Sequence, residues 1–311
     1  YNDVVTADNL QDKIHYYQLT TQGRKLGTQA GKGDTVSSAN KRFTALLAKA
    51  LMAHVRALPK DRLLAFAGML LQDLHTHIIQ VAFSNPTAEN FLRYYQLSAE
   101  TYTGNADSLM LADTNISGNK GSQFLHEQIN DQVQLDAKGG ATHTMTITYT
   151  WAPPAIQDGT NADQVYSVLY DANSDANYGL FYRQFVRIYT AQHPVVRSAS
   201  NWQFGGIDTM ASDVPGRGML GAFYILQGDA TTHPVAWNVP NPAVSWYVPN
   251  VYTPGQPYTL HFQHQAGALL SINVTVTGPQ CGNQAPVTQT FAADPVTTDA
   301  IYQMAVPACN G

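Results

Sequence analysis

The chain has 311 residues, long enough for two domains with sizeable cores, and a formal net charge of −5 that gives no basic surface for nucleic acid or an anionic membrane. Charged residues make up only 13%, against roughly 25% in an average soluble domain, so Thr, Ser, Asn, Gln, Gly and Tyr must build much of the surface. That composition suits secreted and envelope proteins and offers little of the charge that discourages sheet edges from associating.

The chain opens "YNDVVTADNL", without an initiating Met, a signal peptide or an apolar run of membrane-spanning length. Its first residues look like the end of a strand, and the expectation is a fragment, either a processed product or a truncated one. In "TADNLQDKIHYYQL", Thr6 reads as an N-cap, followed by Leu10, Ile14 and Tyr17 at helical spacing. The stretch 20–38 lacks apolar periodicity and reads as a loop. Its "GTQAGKG" imitates a phosphate-binding loop but is one residue too short, and Gly33 stands where a Ser or Thr should be.

Next, Phe43, Leu46, Leu47, Ala50, Leu51, Val55 and Leu58 recur at three- and four-residue intervals. After the Pro59 turn, Leu63, Leu64, Ala67, Leu70, Leu71, Leu74 and Ile78 do the same, which predicts a helical hairpin. "HIIQVAF" (77–83) reads as a buried strand, "NPTAENFLRYYQL" as a helix with Pro86 near its start, and "SLMLAD" as a second strand. Together these predict a helix-rich α/β layer over residues 1–120.

Beyond residue 120 the period drops to two. Met145, Ile147, Tyr149 and Trp151 alternate with threonines, and this strand pairs naturally with "INDQVQLD" across a Lys138–Gly140 turn. "YGLFYRQFVRIYT", "MLGAFYILQ", "PYTLHFQHQ" and "LLSINVTVT" are further strands, punctuated by prolines at 240, 242, 249, 254 and 257. The predicted fold class is α+β, with an antiparallel β-sandwich over 121–311.

Four stretches carry a family resemblance: "VTADNLQDKIHYY", "LADTNISGNK" (111–120), "YRQFVRIYT" (182–190) and "HQAGALLSINVTV" (264–276). In order and spacing they resemble the C-terminal two-thirds of the bacterial domain-of-unknown-function family numbered 4012. The resemblance implies an envelope protein with an N-terminal membrane helix and an extracytoplasmic domain. It also implies distant kinship with the LytR–CpsA–Psr glycopolymer transferases. The family's Gly-Gly-Phe segment is missing from this chain, which weighs against inherited transferase chemistry.

"DTNISGNKGS" (113–122) is the main candidate ligand site. Its Asp113, Asn115, Asn119 and Lys120 could serve a phosphate, with Lys120 as counter-charge and Asp113 holding a divalent metal. The other reading is a strand-end turn in which Gly118 and Gly121 supply unusual backbone angles. The aromatic loop carrying Trp246, Tyr247, Tyr252 and Tyr258 reads as sandwich core and rim, as a subunit contact, or as a glycan-stacking platform. The spacings His75/His77 and His261/His264 put each pair on different faces, so no metal site is expected from either. No Gly-x-Ser-x-Gly elbow is present, and no acidic stretch invites a paired-carboxylate site. Cys281 and Cys309 are expected to pair if the chain is extracytoplasmic. Asn115 and Asn273 fit the short glycosylation acceptor pattern.

The expected role is structural: a cell-surface protein that associates with itself through its β-rich half, where strands such as 141–151 and 269–277 turn Thr, Ser and Asn outward, with no catalytic activity and no cofactor. The alternatives are a glycopolymer phosphotransferase-like enzyme and a module that binds cell-wall glycan.

Overall fold

The computed structural model describes residues 3–29, 36–95, 97–116, 121–151, 180–228, 240–283 and 285–309. Five helices come first: α1 (Leu10–Leu19), α2 (Thr21–Gln29), α3 (Val36–Arg56), α4 (Lys60–His75) and α5 (Pro86–Tyr94). A β-sandwich follows, giving the expected α+β architecture.

The helix α2 lies where the sequence predicts a loop. Its close approach to α1 explains how so polar a stretch is held: a Cβ on Gly23 would sit 2.0 Å from the Tyr16 carbonyl oxygen. Glycine is what lets the two backbones meet. Tyr17 stacks on Phe43 at 4.4 Å and joins α1 to α3. Asn85 caps α5, its side-chain oxygen accepting from the amides of Thr87 (2.9 Å) and Ala88 (3.4 Å), with Pro86 at the first turn.

Residues 77–83 form no strand. Their β-branched composition suits a buried strand, but no neighbouring strand offers a ladder, and Ile78 and Phe83 stay exposed. The α/β layer expected over 1–120 is therefore helical up to α5, and the strand after it belongs to the sandwich.

Each sheet of the sandwich has six strands. The first runs β12 (Ala300–Met304), β9 (Tyr258–Gln263), β1 (Asp107–Asn115), β4 (Leu180–Thr190), β7 (Gly218–Gly228), β6 (Gln203–Met210). The second runs β11 (Thr288–Ala293), β10 (Leu269–Thr277), β2 (Leu125–Leu135), β3 (Ala141–Trp151), β8 (Ala243–Val248), β5 (Val195–Ser200). The two orders match position by position, each strand having its sequence neighbour at the equivalent place in the other sheet.

The sheets are mixed, not purely antiparallel, because β1 runs parallel to β9 and β2 parallel to β10. Parallel neighbours need long crossovers, and here they join chain segments far apart in sequence. The β2–β3 hairpin forms as its alternation predicts, in register from Leu125↔Trp151 to Leu135↔Ala141. Asp136 organises its turn by accepting from the amides of Lys138 (2.7 Å) and Gly140 (2.9 Å). Gly139 has φ +94°, and a Cβ there would lie 2.3 Å from the Tyr252 carbonyl oxygen.

The core lies between the sheets. On β2 the inward set is Leu125, Glu127, Ile129, Asp131, Val133 and Leu135, every one buried. On β1 the residues of the inward parity are Asp107, Leu109, Leu111 and Asp113. Each of these two strands thus carries two acids on its interior face.

Cys281 and Cys309 form a disulfide across 28 residues, fastening the chain after β12 to the start of the β10–β11 connection. Among the described residues, no helix is long and apolar enough to cross a membrane.

Candidate functional site

The acids of β1 and β2 meet as two pairs. At one end of the sandwich, His143 of β3 lies between Asp131, 2.7 Å from its Nδ1, and Asp107, 2.9 Å from its Nε2. All three side chains are wholly buried. Tyr258 donates its hydroxyl to the same Asp107 oxygen at 2.6 Å, and the Trp246 ring stacks on the imidazole at 4.5 Å. Burial alone would push the His143 pKa down. The charges of Asp131 and Asp107, with their hydrogen bonds, outweigh it and lift the pKa to about 10. His143 is thus a buried cation held between two carboxylates. With no exposed side chain and, among the described residues, no Ser or Cys hydrogen-bonded to it, the cluster has the geometry of a buried ion network.

At the other end, Asp113 of β1 and Glu127 of β2 share a hydrogen bond, and no basic side chain among the described residues acts on them. Burial drives the Asp113 carboxyl up to about 6, although its bonds with Glu127 and Tyr149 pull the other way. Burial and the Asp113 charge push Glu127 well above the usual carboxylate range. The Tyr149 hydroxyl donates to Asp113 Oδ1 at 3.4 Å, whereas Oδ2 is closed to solvent without a hydrogen-bond partner. Gln265 fixes the Asp113 backbone from both sides: its Oε1 accepts from the Asp113 amide at 2.7 Å, and its Nε2 donates to the Asp113 carbonyl at 3.0 Å.

These groups line a cavity of about 190 Å³, together with Asn115, Ser122, Tyr182 and the 265–268 turn. On β4, Gln184 pairs in register with Asn115 and is wholly buried with neither amide atom hydrogen-bonded. Unsatisfied buried polar groups are uncommon and costly. Here Gln184 and the acid pair lie on neighbouring interior positions.

Of the residues expected to bind a ligand, Asp113 and Asn115 line this cavity. Asn119 and Lys120 lie outside the described residues. Glu127, the partner that makes the site, carried no sequence signal beyond its place in the inward alternation of β2.

Of the four aromatic candidates two are interior and two are half-buried. Trp246 and Tyr258 are 0% exposed, which removes them from any interface or stacking platform. Tyr247 donates to Asp136 Oδ2 at 3.0 Å, and Tyr252 to the Asp136 carbonyl, so both brace the hairpin turn. His75, His77 and His261 line a larger groove of about 750 Å³, with Arg93, Glu100 and Asp299. Its polar groups satisfy one another: Arg93 pairs with Glu100, and Asp299 accepts from the His264 amide at 2.9 Å. Among the described residues no three His, Cys, Asp or Glu side chains are grouped so as to hold a metal ion.

The fold and its interior define a helix-bearing β-sandwich whose polar core is built from facing acids. Comparison with protein-family models, with curated proteins and with solved structures finds no match to this chain.

Proposed function

We propose that this protein is an extracytoplasmic structural component that associates with copies of itself. The observation that carries the reading is α4, a 16-residue helix with no buried residue. Leu64 is 76% exposed and Met69 64%, and Leu51 and Met52 on α3 are exposed as well. An apolar groove of about 510 Å³ runs along α3, lined by Phe43, Leu46, Leu47, Ala50 and Leu51. Helices this apolar are ordinarily covered, and large exposed patches mark interaction surfaces.

Charge selects a second copy as the occupant. Residues 42–75 hold five basic and two acidic side chains, while the whole chain has 17 basic and 22 acidic. The helical arm is therefore basic and the rest of the molecule strongly acidic, so an arm from one copy complements the body of another. Such a contact is head-to-tail. It closes into a ring or grows into a filament, depending on the rotation between copies.

In this arrangement self-association runs through the helices and not through the β-rich half. The strands from which association is expected on sequence, 141–151 and 269–277, are β3 and β10 and lie inside their sheets with a neighbour on each side. The edge strands β5 and β6 carry register shifts that disfavour further pairing. The disulfide supports an oxidising compartment, as does the resemblance to the family numbered 4012. With Trp246 and Tyr258 buried, nothing favours the glycan-binding alternative. The transferase-like alternative rests on the resemblance alone.

The test is light scattering of the purified chain over a range of concentrations. The wild type is expected to exceed monomer mass, and Leu64→Glu with Met69→Glu to return it to monomer with unchanged circular dichroism. A wild type that stays monomeric at high concentration would sink this reading.

A further inference from the structure

Strands β1 and β2 face each other across the core, and each presents two acids to it. The pair Asp107/Asp131 is bridged by the His143 cation, with both carboxylates hydrogen-bonded to the ring and Asp131 Oδ1 alone left without a partner. The pair Asp113/Glu127 has the same like-charge problem and a different setting. No basic side chain among the described residues neutralises it, and it opens on a cavity. Glu127 is only 4% exposed. Asp113 Oδ2 finds no donor, and Gln184 nearby has both amide atoms unpaired. An interior carboxylate pair is stable only when something positive or a proton joins it.

We propose that the cavity between β1, β2 and the 265–268 turn is a binding site for a hard divalent cation, calcium by preference, held by the carboxylates of Asp113 and Glu127. The lining decides the class of ligand. Besides the two carboxylates it offers the oxygen-bearing side chains of Asn115, Ser122 and Tyr182, and no His or Cys. An all-oxygen set selects calcium, magnesium or manganese over zinc or copper. Size points the same way. About 190 Å³ is below the roughly 300–1,000 Å³ of small-molecule pockets and holds an ion with a few waters at about 30 Å³ each. Calcium is preferred because its six to eight ligands tolerate irregular geometry, whereas magnesium demands a near-ideal octahedron.

The bound ion would do for this end of the sandwich what His143 does for the other. It would tie β1 to β2 through opposite sheets and hold the 265–268 turn, which Gln265 already anchors to Asp113. The site is independent of the helical arm, so its fate does not depend on self-association.

The experiment uses the 311-residue chain, stripped with a chelator and titrated with calcium chloride and with magnesium chloride by calorimetry and by thermal unfolding. The expected result is one saturable site with a dissociation constant of about 0.1–1 mM, the range of extracellular calcium modules. The unfolding midpoint should rise by about 3 °C or more at saturation, with calcium more effective than magnesium. Asp113→Asn and Glu127→Gln should each abolish the heat and the shift. Each should leave the metal-free midpoint unchanged or higher, because one of two repelling acids has been neutralised, so lost binding is separable from lost folding. Absence of heat and of any shift with either ion at 10 mM in the wild type would overturn the proposal and leave a pair that shares a proton. Variants that bind as well as the wild type would overturn it equally, since the ion would then sit elsewhere.

Discussion

A single imidazole carries much of the electrostatic balance of the interior. His143 has a folded-state pKa of about 10, raised by Asp131 and Asp107 above its ordinary value of about 6.5. A raised basic group binds its proton more tightly in the folded state. The stability it contributes is therefore complete below about pH 6.5 and is lost as pH rises through about 10. Around it stand Asp107 on β1, Asp131 on β2, Tyr258 on β9 and the Trp246 ring on β8, and the Arg217 cation also acts on the Asp107 charge. Urea unfolding at pH 6, 8 and 10 should give midpoints that fall along the series. His143→Gln should flatten that fall and cost about 3–5 kcal/mol at pH 6, because it leaves two buried carboxylates without their cation. A variant whose pH dependence matches the wild type would show that His143 is not the group responsible.

At the scale of elements, the last strands depend on a covalent tie. β11 and β12 are outer strands of different sheets, and β12 is bonded only to β9. The Cys281–Cys309 disulfide closes a 28-residue span that contains both. Closing a loop of this length lowers the entropy of the unfolded chain and stabilises the fold by about 3 kcal/mol. Replacing both cysteines by Ser should reduce stability by about that amount in denaturant titrations. Hydrogen exchange should quicken first in β12 and the segment after it, with β2 and β3 still protected. Equal exchange in the oxidised and Ser forms would show that the tie leaves those strands unaffected. The elements also show how local pattern and pairing differ in reach. The run "HIIQVAF" has strand composition but no ladder partner, whereas β1, of ordinary composition, is central because β4 and β9 flank it.

For the molecule as a whole, stability is unevenly distributed. The sandwich holds the large buried side chains, among them Trp246, Tyr182, Tyr224, Tyr258 and Phe262, while α4 has no buried residue. Segments with so little burial open at low free-energy cost. Under limited proteolysis, cuts in the connections at 57–59 and 76–84 are expected before cuts in β1, β2 or β3, as read by mass spectrometry of the fragments. Under conditions that favour association the same connections should become protected, since the proposed contact covers the arm. Early cleavage within β1–β3 would contradict this ordering.

Periodicity determined much by itself. The alternation of β2, β3 and β10 and the helical spacing of α3 and α4 follow from the chain geometry of one segment at a time, and so does the Lys138–Gly140 turn. The pairing of Cys281 with Cys309 followed from their being the two cysteines of an extracytoplasmic-looking chain. The tertiary structure alone decided which strands became neighbours. The parallel β1–β9 and β2–β10 pairs join distant segments, and no local pattern encodes a partner. It also decided that Trp246 and Tyr258 are interior and that α4 is bare, because burial depends on what arrives from elsewhere in the chain. The candidate site shows the same division. Asp113 was visible in a Gly- and Asn-rich stretch, but Glu127 and Gln184 were ordinary polar residues in strands. They became a site only when two sheets closed over them and removed the water that would otherwise have satisfied their charges and amides.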